Sequence, residues 1–234
     1  MKPNRTRILE QAQSGTARAA LLGISDGLVT NVSLILGVVA AGAPASVIRL
    51  AGAASMIAGA VSMAVGEYIS MQGQRELLSS VLDAERDEIH RDPAQAHAVL
   101  QQALEDDGVT KATAHAAAKE IAGDPEKAST VYARANLGIN PDELGAPYKA
   151  AASSFVMFFI GALIPLAPWL AADGSVTAAI SLSLSVVAAL GIGGYLGYTT
   201  GGTIWRSALR QLLVLILGAG ATFLIGHLFH ATLT

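Results

Sequence analysis

Apolar residues along this chain fall into long unbroken runs, not into the alternation of a strand or the narrow stripe of a water-soluble helix. A helix needs about 20 mainly apolar residues to cross a hydrocarbon layer of about 30 Å. Five runs are long enough: Leu21 to Ala43, Val47 to about Gln72, Ala150 to Leu170, Val176 to Thr200, and Leu212 to about Phe229. Polar residues gather between the second run and the third, where positions 73–148 hold 14 of the 18 acidic residues and 7 of the 15 basic ones. The pattern predicts an all-α polytopic membrane protein with five transmembrane helices and a small cytoplasmic helical domain inserted between helices 2 and 3. The expected organisation is a cytoplasmic tail over 1–20, helices 1 and 2 over 21–72, the helical domain over 73–148, and helices 3 to 5 over 149–234.

Within the polar segment, Asp92-Pro93, Asp124-Pro125 and Asn140-Pro141 each pair a capping side chain with proline at the first helical position. Gly108 can end one helix and Thr110 can cap the next. Val99, Leu100, Ala103 and Leu104 make a narrow apolar stripe. Three or four short helices with a modest core follow, continuous with the second span.

Composition sharpens this picture. Only 14% of residues are charged and mean hydropathy is +0.48, against about 25% charged in a soluble domain. That excludes a disordered chain and argues against a water-soluble enzyme. The net charge of −3 argues against nucleic acid as a partner. The absence of cysteine removes disulfides, thiolate metal sites and cysteine nucleophiles. Twenty-four glycines suit helices that pack closely inside a bilayer. No cleavable leader is expected, because Lys2, Arg5, Arg7 and Arg18 precede the first run without an apolar stretch of their own.

Lysine and arginine placement predicts orientation. The tail carries four, the loop near residue 45 only Arg49, the polar segment is basic at both ends, the loop around Asp173 has none, and the next loop carries Arg206 and Arg210. The expected arrangement has the N-terminus and the helical domain in the cytoplasm and the C-terminus outside.

Candidate chemistry comes from charges inside the apolar runs. Asp26 lies about one turn inside the first, and Glu67 near the end of the second. A carboxylate at mid-bilayer costs about 2.5–3.5 kcal/mol, less toward the interface. No lysine or arginine lies within the interior of these runs, so a cation or a proton is the natural counter-charge. Asp26, Thr30 and Ser33 share one helical face, as do Met56, Met63 and Glu67. Thioethers with a carboxylate suit a borderline divalent metal better than calcium or magnesium. Gly52, Gly59 and Gly66, seven apart, make a flat seam for a neighbouring backbone. Plainer readings stand beside these: Asp26-Gly27 as a helix cap at the membrane surface, Glu67 as an interfacial residue, Met63 as packing. In the polar segment, residues 83–107 hold eight acids against Arg86 and Arg91. Glu85, Glu88, His90, His97 and Glu105 form a candidate cation-collecting site, or part of a solvated acidic face. His115 is expected at the surface, and His227 and His230 at the outer interface.

Several runs resemble the vacuolar iron transporter family, which includes bacterial and manganese-transporting members. They are SDGLVTNVSLILGV (25–38), AGAVSMAVGEYISMQGQREL (58–77), LGINPDELGAPYKAA (137–151) and SALRQLLVLILGAGAT (207–222). The resemblance implies five spans, a cytoplasmic helical domain, a homodimer with the ion path at the subunit interface, and exchange of Fe2+ or Mn2+ against protons. It places Asp26 and Met63 on the translocation path, and Glu67 falls on the glutamate of the GEY pattern. The family's cytoplasmic glutamate cluster is thinned here to Glu85 and Glu88, with Asn136 where a glutamate usually precedes the final LG.

The expected function is export of a divalent metal, ferrous or manganous, as transported substrate with no permanent cofactor. The expected setting is the lipid bilayer of a bacterial inner membrane, the expected partners are protons and a second copy, and nucleic acid is excluded. The alternative is a membrane-anchored metal sensor or scaffold without transport. An enzyme is the least favoured reading, since the spans hold no HExxH and no serine–histidine pairing.

Overall fold

A computed structural model describes residues 15–136, 140 and 144–233. Among the described residues there are eight helices: α1 (Thr16–Ala40), α2 (Ala45–Arg91), α3 (Pro93–Asp106), α4 (Lys111–Ala122), α5 (Pro125–Asn136), α6 (Pro147–Ala171), α7 (Ser175–Thr199) and α8 (Ile204–Leu233). Five of them, α1, α2, α6, α7 and α8, are long and apolar enough to cross a membrane. The all-α, five-span expectation is met, and the chain is an integral membrane protein.

Three helix boundaries differ from the hydropathy runs. The first helix starts at Thr16 and takes in Arg18, and the last starts at Ile204 and takes in Arg206 and Arg210. These arginines were expected in a tail and a loop. Their long aliphatic stems let them occupy the first turns of a spanning helix while the guanidinium reaches polar surroundings, so a hydropathy window cuts the helix short. The second helix runs past residue 72, where the apolar run ends, to Arg91 as 47 residues, in line with the expected continuity of the helical domain with the second span.

The chain divides into two compact units, residues 1–69 with 146–234, and residues 70–145. In the first, α1 is central, packing on α6, α7 and α8. Its contact with α6 is backbone on backbone. A Cβ on Gly161 would stand 2.2 Å from the Ile24 carbonyl oxygen, and one on Gly27 2.2 Å from that of Phe158. Two apolar clusters flank this seam: Ile35, Ile48, Met56, Ala60, Phe158, Ala162, Leu166 and Trp169 on one side, and Leu28, Val32, Ala189 and Leu215 on the other.

Pro165 and Pro168 lie inside α6, where each deprives a carbonyl one turn back of its partner. Side chains from other helices enter this stretch: Ser181 Oγ donates to the Pro165 carbonyl at 2.6 Å and Asn31 Nδ2 to that of Ala162 at 2.6 Å.

In the second unit, Asp92 caps α3 through the Gln95 N–H at 3.0 Å, and Asp124 caps α5 through the N–H groups of Glu126 and Lys127. The latter bonds, that of Lys127 foremost, hold the Asp124 carboxyl below its ordinary value near 3.8. Gly108 ends the turn after α3 at φ +90. Thr110 precedes α4 without capping it, its hydroxyl meeting that of Thr113 instead. The expected Asn140-Pro141 cap lies at the edge of residues outside the description.

Candidate functional site

Asp26 stands ten residues into α1, about 15 Å along its axis. It is therefore interior to the helix and not a cap. Its side chain is exposed on the surface of the single chain, as are Arg18, Leu22 and Thr30, four residues apart along one stripe. Thr30 Oγ1 donates to Asp26 Oδ1 at 3.3 Å. Ser33 does not belong to this stripe. It is buried against α8, where Thr222 Oγ1 donates to its carbonyl at 2.6 Å.

Glu67 is not without a basic partner, contrary to the expectation from the runs. Arg18 Nη2 lies 3.4 Å from its Oε1, with Glu67 only 11% exposed and Arg18 62%. At the other end of the two helices, the side chain of Ile35 lies over Gly52. The pairs 18/67 and 35/52 fix an antiparallel register in which Asp26 and Met63 lie about one turn, roughly 5 Å, apart along the axes. The two residues expected on a path thus sit at neighbouring levels of α1 and α2.

Met56 departs from that pair. It is 8% exposed within the core cluster, sealed by the α6 side chains that cross the α2 glycines. Phe158 lies over Gly59 and Leu166 over Gly52, so these two accept side chains and not a backbone. At Gly66 no atom stands within 4 Å of a Cβ position. Met63, half-buried, packs against the edge of the same cluster.

Two polar residues were not anticipated. Gln211 of α8 donates to Ser25 Oγ, next to Asp26. Asn31 is fully buried, with Oδ1 unpartnered. Lone amides within apolar runs were the available signal. Gln211 fell just before the run that was expected to begin at Leu212.

In the second unit, Glu85, Glu88 and Asp92 line a cavity of about 20 Å³ with Ile89, Gln95 and Tyr132, room for a water. Glu105 is elsewhere, accepting from Gln101 Nε2 at 2.8 Å. His97 meets the ring of His115, and His90 is exposed. Among the described residues no group of three or more His, Cys, Asp or Glu is placed to share one ion. The five residues expected to form one cytoplasmic site are thus split between places. His230 at the far end of α8 sits over Gly42, its Nδ1 3.2 Å from the Ala41 carbonyl oxygen.

Comparison with known proteins agrees over nearly the whole length. The VIT family model matches residues 17–227. The rice (Oryza sativa subsp. japonica) protein named vacuolar iron transporter homolog 2 is 32% identical over 224 residues, covering 93% of each chain. Vacuolar iron transporter 1 of Eucalyptus grandis is 26% identical over 207 residues, 88% of this chain and 83% of that protein. The vacuolar iron transporter of Acanthamoeba castellanii is 30% identical over 184 residues, 76% and 67% of the two.

Proposed function

The chain belongs to the VIT family, and from that premise we propose that it transports a divalent metal ion, ferrous or manganous, out of the cytoplasm in exchange for protons, along a path between two copies of the chain. The observation that carries the reading is Asp26: a carboxylate ten residues inside a spanning helix, turned to the outer surface of the single chain. Left against lipid it would cost about 2.5–3.5 kcal/mol. A second copy covering the stripe removes that cost and brings two Asp26 carboxylates toward one axis, with Met63 a turn away. A cation is then the partner the pair lacks. Met63 supplies a soft donor that favours ferrous or manganous ion over calcium or magnesium.

The exchange follows from carboxylate chemistry. An ionised Asp26 holds the metal, and a proton arriving from the far side occupies the same oxygens and releases it. The return step leaves the proton on the cytoplasmic side. The orientation in this reading has the N-terminus and residues 70–145 in the cytoplasm of a bacterial cell, following the excess of lysine and arginine there.

Vesicles loaded with a metal-sensitive dye and placed under a pH gradient test it. Asp26→Asn, which keeps shape and loses the charge, is expected to abolish metal flux and metal-driven proton movement while the protein stays folded. Met63→Ala is expected to reduce ferrous and manganous flux tenfold or more without raising proton leak. Full transport by Asp26→Asn would remove the central residue. A membrane-anchored sensor is the second reading, and the observation toward it is that Glu85 and Glu88 line one small cavity. Tight manganous binding lost in Glu85→Gln, with no flux in vesicles, would select it.

A further inference from the structure

The rings of His97 on α3 and His115 on α4 meet edge to face, centroids 4.9 Å apart and planes at 79°. Two imidazoles held by one tetrahedral ion, with metal–nitrogen bonds of about 2.1 Å, have ring centres about 5 Å apart. The two helices therefore hold the ring centres at the separation such a pair has.

A hydrogen-bond relay fixes the state of one of them. Glu105 can only accept, so Gln101 Nε2 faces it, at 2.8 Å. Gln101 Oε1 then faces His115 Nδ1, at 3.0 Å, and an amide oxygen can only accept. The proton of neutral His115 is thus on Nδ1, and Nε2 presents its lone pair. This is the arrangement by which metal-ligating histidines are oriented and made more basic, with Glu105 at the end of the relay in the carboxylate's role. His97 is half-buried, with the His115 ring against its own. Its terminal torsion is a soft coordinate, and rotation about it is the adjustment the site asks of His97.

From this geometry we infer that His97 and His115 form a two-histidine site for a late divalent transition ion such as Zn2+, with solvent water completing the coordination. It is separate from the Glu85–Glu88–Asp92 cavity and from Asp26 and Met63. Imidazole pairs prefer ions toward the copper end of the first-row series, with manganous ion the weakest. The site therefore responds to ions other than the proposed substrates and stands or falls independently of transport.

The test is Zn2+ titration of the full chain in detergent at neutral pH, by calorimetry, with helicity checked by circular dichroism. The wild type is expected to bind one equivalent more than either His97→Gln or His115→Gln. Gln101→Leu is expected to keep that equivalent and to bind it 10- to 100-fold more weakly. Asp26→Asn and Met63→Ala are expected to retain it, which separates this site from the transport path. Unchanged isotherms in both histidine variants would overturn the inference. So would loss in only one of them, since the ion would then be held without the pair.

Discussion

Arg18 and Glu67 make the most asymmetric contact in the first unit. The carboxylate is nearly covered and the guanidinium mostly exposed. Removing an exposed partner from a covered charge costs more than the pair itself contributes, because the remaining charge keeps its desolvation penalty. Arg18→Gln is therefore expected to destabilise the folded protein by about 1–2 kcal/mol, and Arg18→Gln with Glu67→Gln by less than Arg18→Gln alone. Thermal unfolding of the four proteins in one detergent closes the cycle, and additive losses would show that the contact contributes nothing. At this scale the sequence was legible for the pairing of Asp26 with Thr30, because residues four apart share a helical face. It was not legible for Glu67 or Met56. The partner of Glu67 is 49 residues away. Met56 shares a helical face with Met63, and its burial is decided by where Phe158 and Leu166 cross α2, which spacing along α2 alone cannot express.

Among the helices, glycines set how closely α1 is approached, by α8 where Gly226 meets the Gly37 carbonyl and by α6 at Gly27 and Gly161. Gly161→Leu places a side chain where the Ile24 carbonyl stands, and no rotamer avoids a clash with backbone. It is expected to destabilise the bundle by about 3 kcal/mol or more. Gly66→Ala and Gly191→Ala, which meet nothing within 4 Å, are expected to leave the unfolding temperature unchanged or slightly raised, through lower freedom of the unfolded chain. Equal effects at the three sites would remove close packing as the cause. The short helices carry a second expectation. Asp124 is held below its ordinary value near 3.8 by the backbone N–H of Lys127 first. The cap's contribution is thus fully present above that value and is lost as pH falls through the lowered one. Amide protection of Glu126 and Lys127 is expected to survive at neutral pH, to fade well below pH 4, and to be weak at all pH in Asp124→Ala. The Asp-Pro starts of α3 and α5 were readable because cap and proline are adjacent in sequence. The starts of α1 and α8 were not, because arginines with apolar stems hide the first turns of a spanning helix.

For the molecule as a whole, one feature bears on its orientation and a second on its assembly. In the proposed orientation Arg49 is the one basic residue on the outer side, and Asp173 neutralises it at 2.7 Å while Nη1 donates to the Trp169 carbonyl. The exception to the positive-inside pattern is a bound charge that joins α2 to the end of α6. The stripe Arg18–Leu22–Asp26–Thr30 differs from every other exposed face among the spanning helices in carrying an acid at mid-span. Val176, Ile180, Leu184 and Val187 of α7, by contrast, make a mainly apolar face with Ser183 as its polar member. A chain with no cysteine allows the two faces to be compared directly. Leu22→Cys is expected to cross-link to a second copy with a short thiol reagent in membranes, in proportion to metal flux retained by the population. Val187→Cys, at a position more exposed than Leu22 (68% against 48%) but facing lipid in this reading, is expected to remain monomeric under the same treatment. Cross-linking at Val187 in place of Leu22 would put the second copy on α7, leave Asp26 uncovered, and end the account of a path between subunits.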